Sequence, residues 1–106
     1  MRLDTPTCDF GWQAPDFELR EPDGTLHSLA DHLTPEGLVV AFICNHCPYV
    51  TAIADRLAAD AKVLADEGLG FVAIMSNDYR DYPADAPDKM AEFSKQHGFH
   101  FPYLVD

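Results

Sequence analysis

The feature that most constrains the fold is a pair of short apolar runs separated by a segment with helical periodicity. Residues 38–43 and residues 71–75 are continuous apolar runs of the kind found in strands buried on both faces. Between them, apolar residues recur at spacings of three and four, at Val50, Ile53, Leu57, Ala61 and Leu64. Such spacing places them on one face of a helix. The pattern predicts a β-α-β unit with parallel strands, and therefore an α/β fold class.

Shorter segments on both sides extend this unit. Residues 16–27 alternate apolar and polar side chains around a Pro-Asp-Gly turn, which predicts a β-hairpin. Asp85 is placed to cap a helix that ends at Gly98, and residues 101–105 read as the beginning of a third buried strand. Residues 1–106 are therefore expected to form a single domain with helices flanking a central sheet.

Composition excludes several kinds of partner and location. The chain has 106 residues and a formal net charge of −11, which argues against nucleic acid and anionic membranes as partners. Its longest apolar run is far shorter than the roughly 18 residues of a membrane span. The N-terminal residues lack the apolar core of a secretory signal, so we expect a cytoplasmic protein whose disulfides are transient rather than structural.

Two cysteines with C-x-x-C spacing carry the chemistry. Cys44 and Cys47 lie where the first buried strand ends and the long helix begins, and ligands of open α/β sheets usually bind at that edge. A helix N-terminus offers unpaired N–H groups and a positive dipole, both of which favour a thiolate. We therefore predict an enzyme that uses Cys44 and Cys47 as a dithiol–disulfide couple, with no cofactor and no metal.

The helix N-terminus is expected to change the redox potential of the couple more than the rate of thiolate attack. If the pKa of the thiol falls by about 2 units, the thiolate fraction at neutral pH rises roughly 25-fold, while the lower nucleophilicity cancels about 8-fold of that gain. His46 is either an imidazolium that stabilises the Cys44 thiolate further or an exposed turn residue. Cys8, outside any periodic segment, is either an extra thiol or a third redox partner.

Several motifs resemble one family of proteins. They are the Ala-Pro-Asp-Phe at residues 14–17, the Phe-Ile-Cys-Asn-His-Cys-Pro-Tyr at residues 42–49, and the Phe-Pro-Tyr-Leu-Val-Asp at residues 101–106. Together they resemble the thioredoxin-like redoxin family, in the branch of alkyl hydroperoxide reductase and thiol-specific antioxidant proteins. The resemblance implies a thioredoxin-like fold, in which Cys44 is the exposed nucleophile and Cys47 the resolving cysteine. Protein or small-molecule thiols and disulfides would be its partners.

The resemblance also implies an alternative activity. In the peroxiredoxin pattern, a cysteine followed by proline attacks peroxide, and Cys47 with Pro48 matches that position. The pattern has a threonine where this chain has Cys44, and it continues Thr-Glu where this chain has Tyr49 and Val50. A thiol peroxidase acting through Cys47 is therefore the alternative within redox chemistry.

The family implies more structure than these residues contain. Its members continue past the third strand to a loop with a cis-proline packed against the C-x-x-C, two antiparallel strands and a helix. The 106 residues stop before these elements, so we interpret the chain as a truncated form whose activity is reduced. The sheet then keeps an unpaired edge, which a second copy of the chain would cover in a homodimer.

A structural zinc site is the alternative from another class. Cys44, Cys47 and His46, with His97 and His100 downstream, supply suitable ligands, but the interval of about 50 residues between the two groups departs from the usual spacing. The carboxylates offer no convincing general acid–base pair. Asp78, Asp81 and Asp85 follow a strand, where solvated loop acids are far commoner than catalytic ones.

Overall fold

The structure is a computed structural model, and it describes residues 9–106; Cys8 lies outside the described residues. Within residues 9–106, the chain forms five strands, three α-helices and a 3-10 turn. In chain order they are β1 (Glu18–Arg20), β2 (Leu26–Ser28), α1 (Leu29–His32), β3 (Leu38–Phe42), α2 (Pro48–Asp66), β4 (Gly70–Met75), the 3-10 turn (Pro83–Asp85), α3 (Pro87–His97) and β5 (Tyr103–Val105). The predicted α/β class is confirmed.

All five strands form one mixed sheet in the order β2-β1-β5-β4-β3. β3 and β4 pair in parallel along their length, as do β4 and β5. β1 and β2 form the predicted hairpin, and β1 joins the sheet by pairing antiparallel with β5. The predicted β-α-β unit is thus β3-α2-β4, and it places the carboxyl ends of β3 and β4 at the same edge.

The hydrophobic core lies on both sides of β4. On one side, the strands pack against α2 and α3 through buried Ala54, Ala61, Met90 and Phe93. On the other side, Val72, Ile74 and Leu104 pack against partly buried residues of the N-terminal segment and β3, namely Phe17, Leu19 and Leu38. Among the described residues, no helix is both long enough and apolar enough to span a bilayer.

Burial of β3 differs from the prediction. Residues Phe71–Met75 of β4 are buried on both faces, as expected, but Val40 and Phe42 of β3 are 38% and 68% exposed. The reason is position in the sheet, since β3 pairs only with β4 among residues 9–106 and forms an edge. Along α2 the buried face includes Ala54, while Ile53 is 46% exposed.

The beginnings of the two long helices matter for the site. α2 begins at Pro48, with Cys47 as its N-cap residue, so the long helix begins at the predicted place, directly after the C-x-x-C. α3 begins after Ala86, one residue later than predicted, because Asp85 belongs to the preceding 3-10 turn. The Asp85 carboxylate is therefore free to turn away from α3. The predicted end of α3 is confirmed, since Gly98 has a left-handed φ of 71°.

Candidate redox site

The two predicted cysteines line one groove at the junction of β3 and α2. Both Cys44 and Cys47 carry free thiols and are half-buried. The groove has a volume of about 260 Å³, and its other lining residues are Phe42, Ile43, Val50, Ser76 and Asn77. Because Ser76 and Asn77 follow β4, the groove lies at the carboxyl ends of both strands. The arrangement can present one or both thiols to a substrate that enters from solvent.

The electrostatics of Cys44 differ from the expectation. Burial raises the pKa of the Cys44 thiol above its ordinary value, and the negative charges of Asp85 and of an ionised Cys47 raise it further. The backbone N–H groups of Cys47 and His46 lower it, as predicted for a helix N-terminus, but their effect is smaller than that of burial. The prediction of a lowered thiol pKa was therefore wrong in sign.

A buried carboxylate contacts residues 44–47, which we call the redox turn. The side chain of Asp85 has no exposed surface. Its Oδ1 accepts hydrogen bonds from the backbone N–H groups of Asn45 and His46, at 2.8 and 3.3 Å. Its Oδ2 lies 2.5 Å from Nδ1 of the His46 ring and accepts a hydrogen bond from Nδ2 of Asn77 at 3.1 Å. Four donors therefore surround this carboxylate, which is how a buried charge is tolerated.

The same turn also contacts the 3-10 turn and the residue that precedes it. Nδ2 of Asn45 donates to the carbonyl oxygen of Ala84 at 3.0 Å. The His46 ring is 38% exposed and stacks on Tyr82, with ring centroids 5.1 Å apart and planes 4° apart. The 3-10 turn and the residue before it thus contact both residues that separate the two cysteines.

Tyr103 of β5 supports the turn from the core side. Its hydroxyl donates to Oδ1 of Asn45 at 3.0 Å, and the side chain is only 3% exposed. Burial raises the pKa of Tyr103 strongly, and the negative charges of Asp85 and Cys44 raise it further. The phenol therefore stays a hydrogen-bond donor across the physiological range.

The zinc interpretation is not favoured. Among residues 9–106, one group of metal-ligating side chains lies together, with donor atoms of Cys44, His46 and Asp85 within 4.8 Å of one another. The carboxylate of this group already accepts four hydrogen bonds, and the group contains neither His100 nor His97, which lies 2.7 Å from Asp55 instead. A structural zinc site needs four ligands that face one ion.

Sequence reasoning missed Asp85. It was grouped with Asp78 and Asp81 as a solvated loop acid, yet of these three only Asp85 is buried. Asp78 instead forms an exposed ion pair with Arg80 at 3.0 Å. The useful signal was position, because the loop after β4 lies at the same sheet edge as the C-x-x-C.

Comparison with known proteins agrees with this geometry. The AhpC/TSA family model matches residues 10–106. The chain belongs to the AhpC/TSA family. Among solved structures, an uncharacterised conserved protein of Geobacillus kaustophilus is 38% identical with a TM-score of 0.90, and the match covers 98% of this chain and 58% of that one. Among curated proteins, none matches the chain.

Two further structures, at lower sequence identity, are of proteins whose names state a redox function. A peroxidoxin of Mycobacterium tuberculosis is 26% identical with a TM-score of 0.67, and the match covers 91% of this chain and 58% of that one. A thiol:disulfide interchange protein of the thioredoxin family from Chlorobium tepidum is 22% identical with a TM-score of 0.69, covering 88% and 59%. The thioredoxin-like fold is confirmed, and the chain spans less than two thirds of the length of each of these three structures.

Proposed function

We infer that the chain is a thiol–disulfide oxidoreductase in which Cys44 is the nucleophile and Cys47 the resolving thiol. The observation that carries this inference is that both free thiols line one open groove at the N-terminus of α2. Membership of the AhpC/TSA family supports a thiol redox function. Disulfides of proteins or small molecules are the proposed substrates.

The reaction transfers two electrons in two exchange steps. The Cys44 thiolate attacks a substrate disulfide, so that a bond from its Sγ to one substrate sulfur forms, the disulfide bond breaks and the second substrate sulfur leaves as a thiolate. The Cys47 thiolate then attacks Sγ of Cys44, which forms the Cys44–Cys47 disulfide and releases the first substrate sulfur. The protons lost by the two cysteines are balanced by those that the two product thiolates take up from water.

Serine variants test this assignment directly. We expect Cys44→Ser to abolish the reduction of a small aromatic disulfide, because the attacking sulfur is gone. We expect Cys47→Ser to accumulate a mixed disulfide on Cys44, which intact-mass measurement detects. Cys8→Ser is the matched control and should retain the parental rate. A Cys44→Ser variant that still reduces the disulfide would overturn the assignment.

A thiol peroxidase is the second candidate, and the similarity to a peroxidoxin favours it. In this mechanism the Cys47 thiolate attacks a peroxide, giving a sulfenic acid and an alcohol or water after protonation, and Cys44 then forms the disulfide and releases water. Brief peroxide treatment of Cys44→Ser would trap the sulfenic acid on Cys47. Rapid sulfenic acid formation in this variant would favour the peroxidase, and its absence, while the parental chain reduces disulfides, would exclude it.

A further inference from the structure

The Asp85 carboxylate is built into the redox turn, although the proposed exchange steps do not use it. Every one of its four hydrogen-bond donors belongs to Asn45, His46 or Asn77, which form the turn and the wall of the groove. A carboxylate with no exposed surface is costly unless it is fully paired. Its pairing with this turn, from a loop about 40 residues away, therefore indicates a role at the site.

The carboxylate and the His46 ring both lie close to the Cys44 sulfur. One carboxylate oxygen, one ring nitrogen and Sγ of Cys44 all lie within 4.8 Å of one another. At such a distance, a negative charge opposes a thiolate and a positive charge favours it. Nδ1 of His46 faces the carboxylate, and 38% of the His46 side chain is exposed to water.

We propose that Asp85 is a positioning residue that holds the His46 ring beside Cys44 and makes the reactivity of Cys44 depend on the positive charge of that ring. The proposal rests on the proposed function, in which Cys44 is the nucleophile. While His46 is cationic, its pair with Asp85 is neutral and a thiolate on Cys44 is tolerated. Once His46 loses its charge, the buried carboxylate opposes the thiolate alone.

The other ionisable groups around the site do not replace this pair. Cys47 lies on the same turn, Tyr103 of β5 contacts the turn through Asn45, and Tyr82 stacks on the His46 ring. Thiol and phenol groups are ordinarily uncharged near neutral pH. The His46–Asp85 pair is therefore the charged group that, in addition to burial, acts on the Cys44 thiolate in that range.

Alkylation kinetics in a single-cysteine background test the proposal. In a Cys8→Ser, Cys47→Ser parent, only Cys44 reacts with iodoacetamide. We expect His46→Gln to slow the reaction near neutral pH about 3-fold, because a one-unit rise in the Cys44 pKa removes about 10-fold of thiolate while the nucleophilicity rises roughly 3-fold. Adding Asp85→Asn to His46→Gln should restore the rate to within about 2-fold of the parent, since the unbalanced charge is removed.

This recovery separates the proposal from a merely structural role. Asn keeps the shape of Asp85 and an oxygen for the backbone N–H groups of the turn, and circular dichroism checks that each variant is folded. If Asp85 only held the turn, the double variant would react no faster than His46→Gln, and this result would overturn the proposal. The pH profile of the double variant should also have its inflection at a lower pH than that of His46→Gln.

A second variant keeps the test decisive if Asp85→Asn does not fold. His46→Arg gives Asp85 a permanent positive partner, so it should react about 3-fold faster than His46→Gln near neutral pH. Equal rates for these two variants would overturn the proposal. Alkylation needs no disulfide substrate, so a chain that fails to reduce disulfides but shows the recovery would contradict the proposed function and not the role of Asp85.

Discussion

Removing the hydroxyl of Tyr103 should destabilise the fold through its contact with the redox turn. In Tyr103→Phe, the hydrogen bond to Oδ1 of Asn45 is lost and the oxygen that accepted it stays half-buried. A typical hydrogen bond contributes about 1 kcal/mol net, and an unsatisfied, partly buried acceptor adds to the cost. We therefore expect a loss of about 1–1.5 kcal/mol at neutral pH, which for a domain of this size lowers Tm by roughly 5–10 °C.

Urea denaturation followed by circular dichroism measures this loss. Tyr79→Phe is the matched control, because Tyr79 is 42% exposed and the same atom is removed there. We expect the control to change the free energy of unfolding by less than about 0.5 kcal/mol. If Tyr103→Phe were as stable as Tyr79→Phe, the argument that the core side of the turn is held by this hydroxyl would be refuted.

The pH dependence gives the same prediction a second readout. Burial raises the pKa of Tyr103 in the folded state, so its contribution to stability is fully present below the ordinary tyrosine pKa of about 10. Above that pH the unfolded chain releases the phenol proton first, and the contribution is lost as the pH rises. Phe cannot ionise, so the stability difference between the parent and Tyr103→Phe should shrink above about pH 10. A difference that stays constant across this range would contradict the assigned burial.

Two further predictions concern the sheet and the redox couple. A Cβ on Gly70 would lie 2.0 Å from the carbonyl oxygen of His32, so Gly70→Ala should lower the free energy of unfolding by about 2–3 kcal/mol in urea denaturation. Gly98→Ala is the control, because nothing lies within 4 Å of a Cβ there and only its φ of 71° costs about 1 kcal/mol. A loss for Gly70→Ala equal to or smaller than that of the control would contradict the packing. Because burial disfavours the Cys44 thiolate, a Cys44–Cys47 disulfide should persist in more reducing glutathione buffers than it would with an unperturbed thiol. Mass spectrometry after rapid alkylation measures the fraction of disulfide. Full reduction by a glutathione buffer at about −200 mV would refute the prediction.

The β-α-β unit could be predicted from the sequence because its signals are local. The two apolar runs and the spacing between Val50 and Leu64 depend only on neighbouring residues. They identify β3, α2 and β4, and they give the bounds of the two strands to within one residue. Exposure could not be predicted in the same way. Val40 of β3 is 38% exposed because β3 is an edge strand among the described residues, and strand order is a property of the whole sheet.

The redox site could be predicted only in part, for a similar reason. Cys44 and Cys47 are separated by two residues, so their common position at the start of α2 follows from the sequence. Asp85 meets this turn across an interval of about 40 residues. Nothing local distinguishes its carboxylate from that of Asp81, and only the fold determines which acid is buried. The homodimer and the cytoplasmic location stay predictions.

In the proposed function, the balance between burial and the helix N-terminus would decide how oxidising the couple of Cys44 and Cys47 is. Backbone N–H groups of His46 and Cys47 favour the Cys44 thiolate, but desolvation has the larger effect and raises the thiol pKa. A thiol of higher pKa is less often ionised at neutral pH, although each thiolate is a stronger nucleophile, so the net rate of attack changes by only a few-fold.

The pKa of the Cys44 thiol affects the equilibrium between dithiol and disulfide more directly than it affects the rate of thiolate attack. In the proposed function, a poorly stabilised thiolate would give the reduced dithiol no advantage, which would favour the disulfide form of Cys44 and Cys47 and make the proposed couple an electron donor. A positive charge on His46 opposes this tendency, because it balances the carboxylate of Asp85 beside the sulfur. In the proposed function, the direction of electron transfer would therefore depend on two competing quantities, the burial of Cys44 and the charge of the His46 ring that Asp85 contacts.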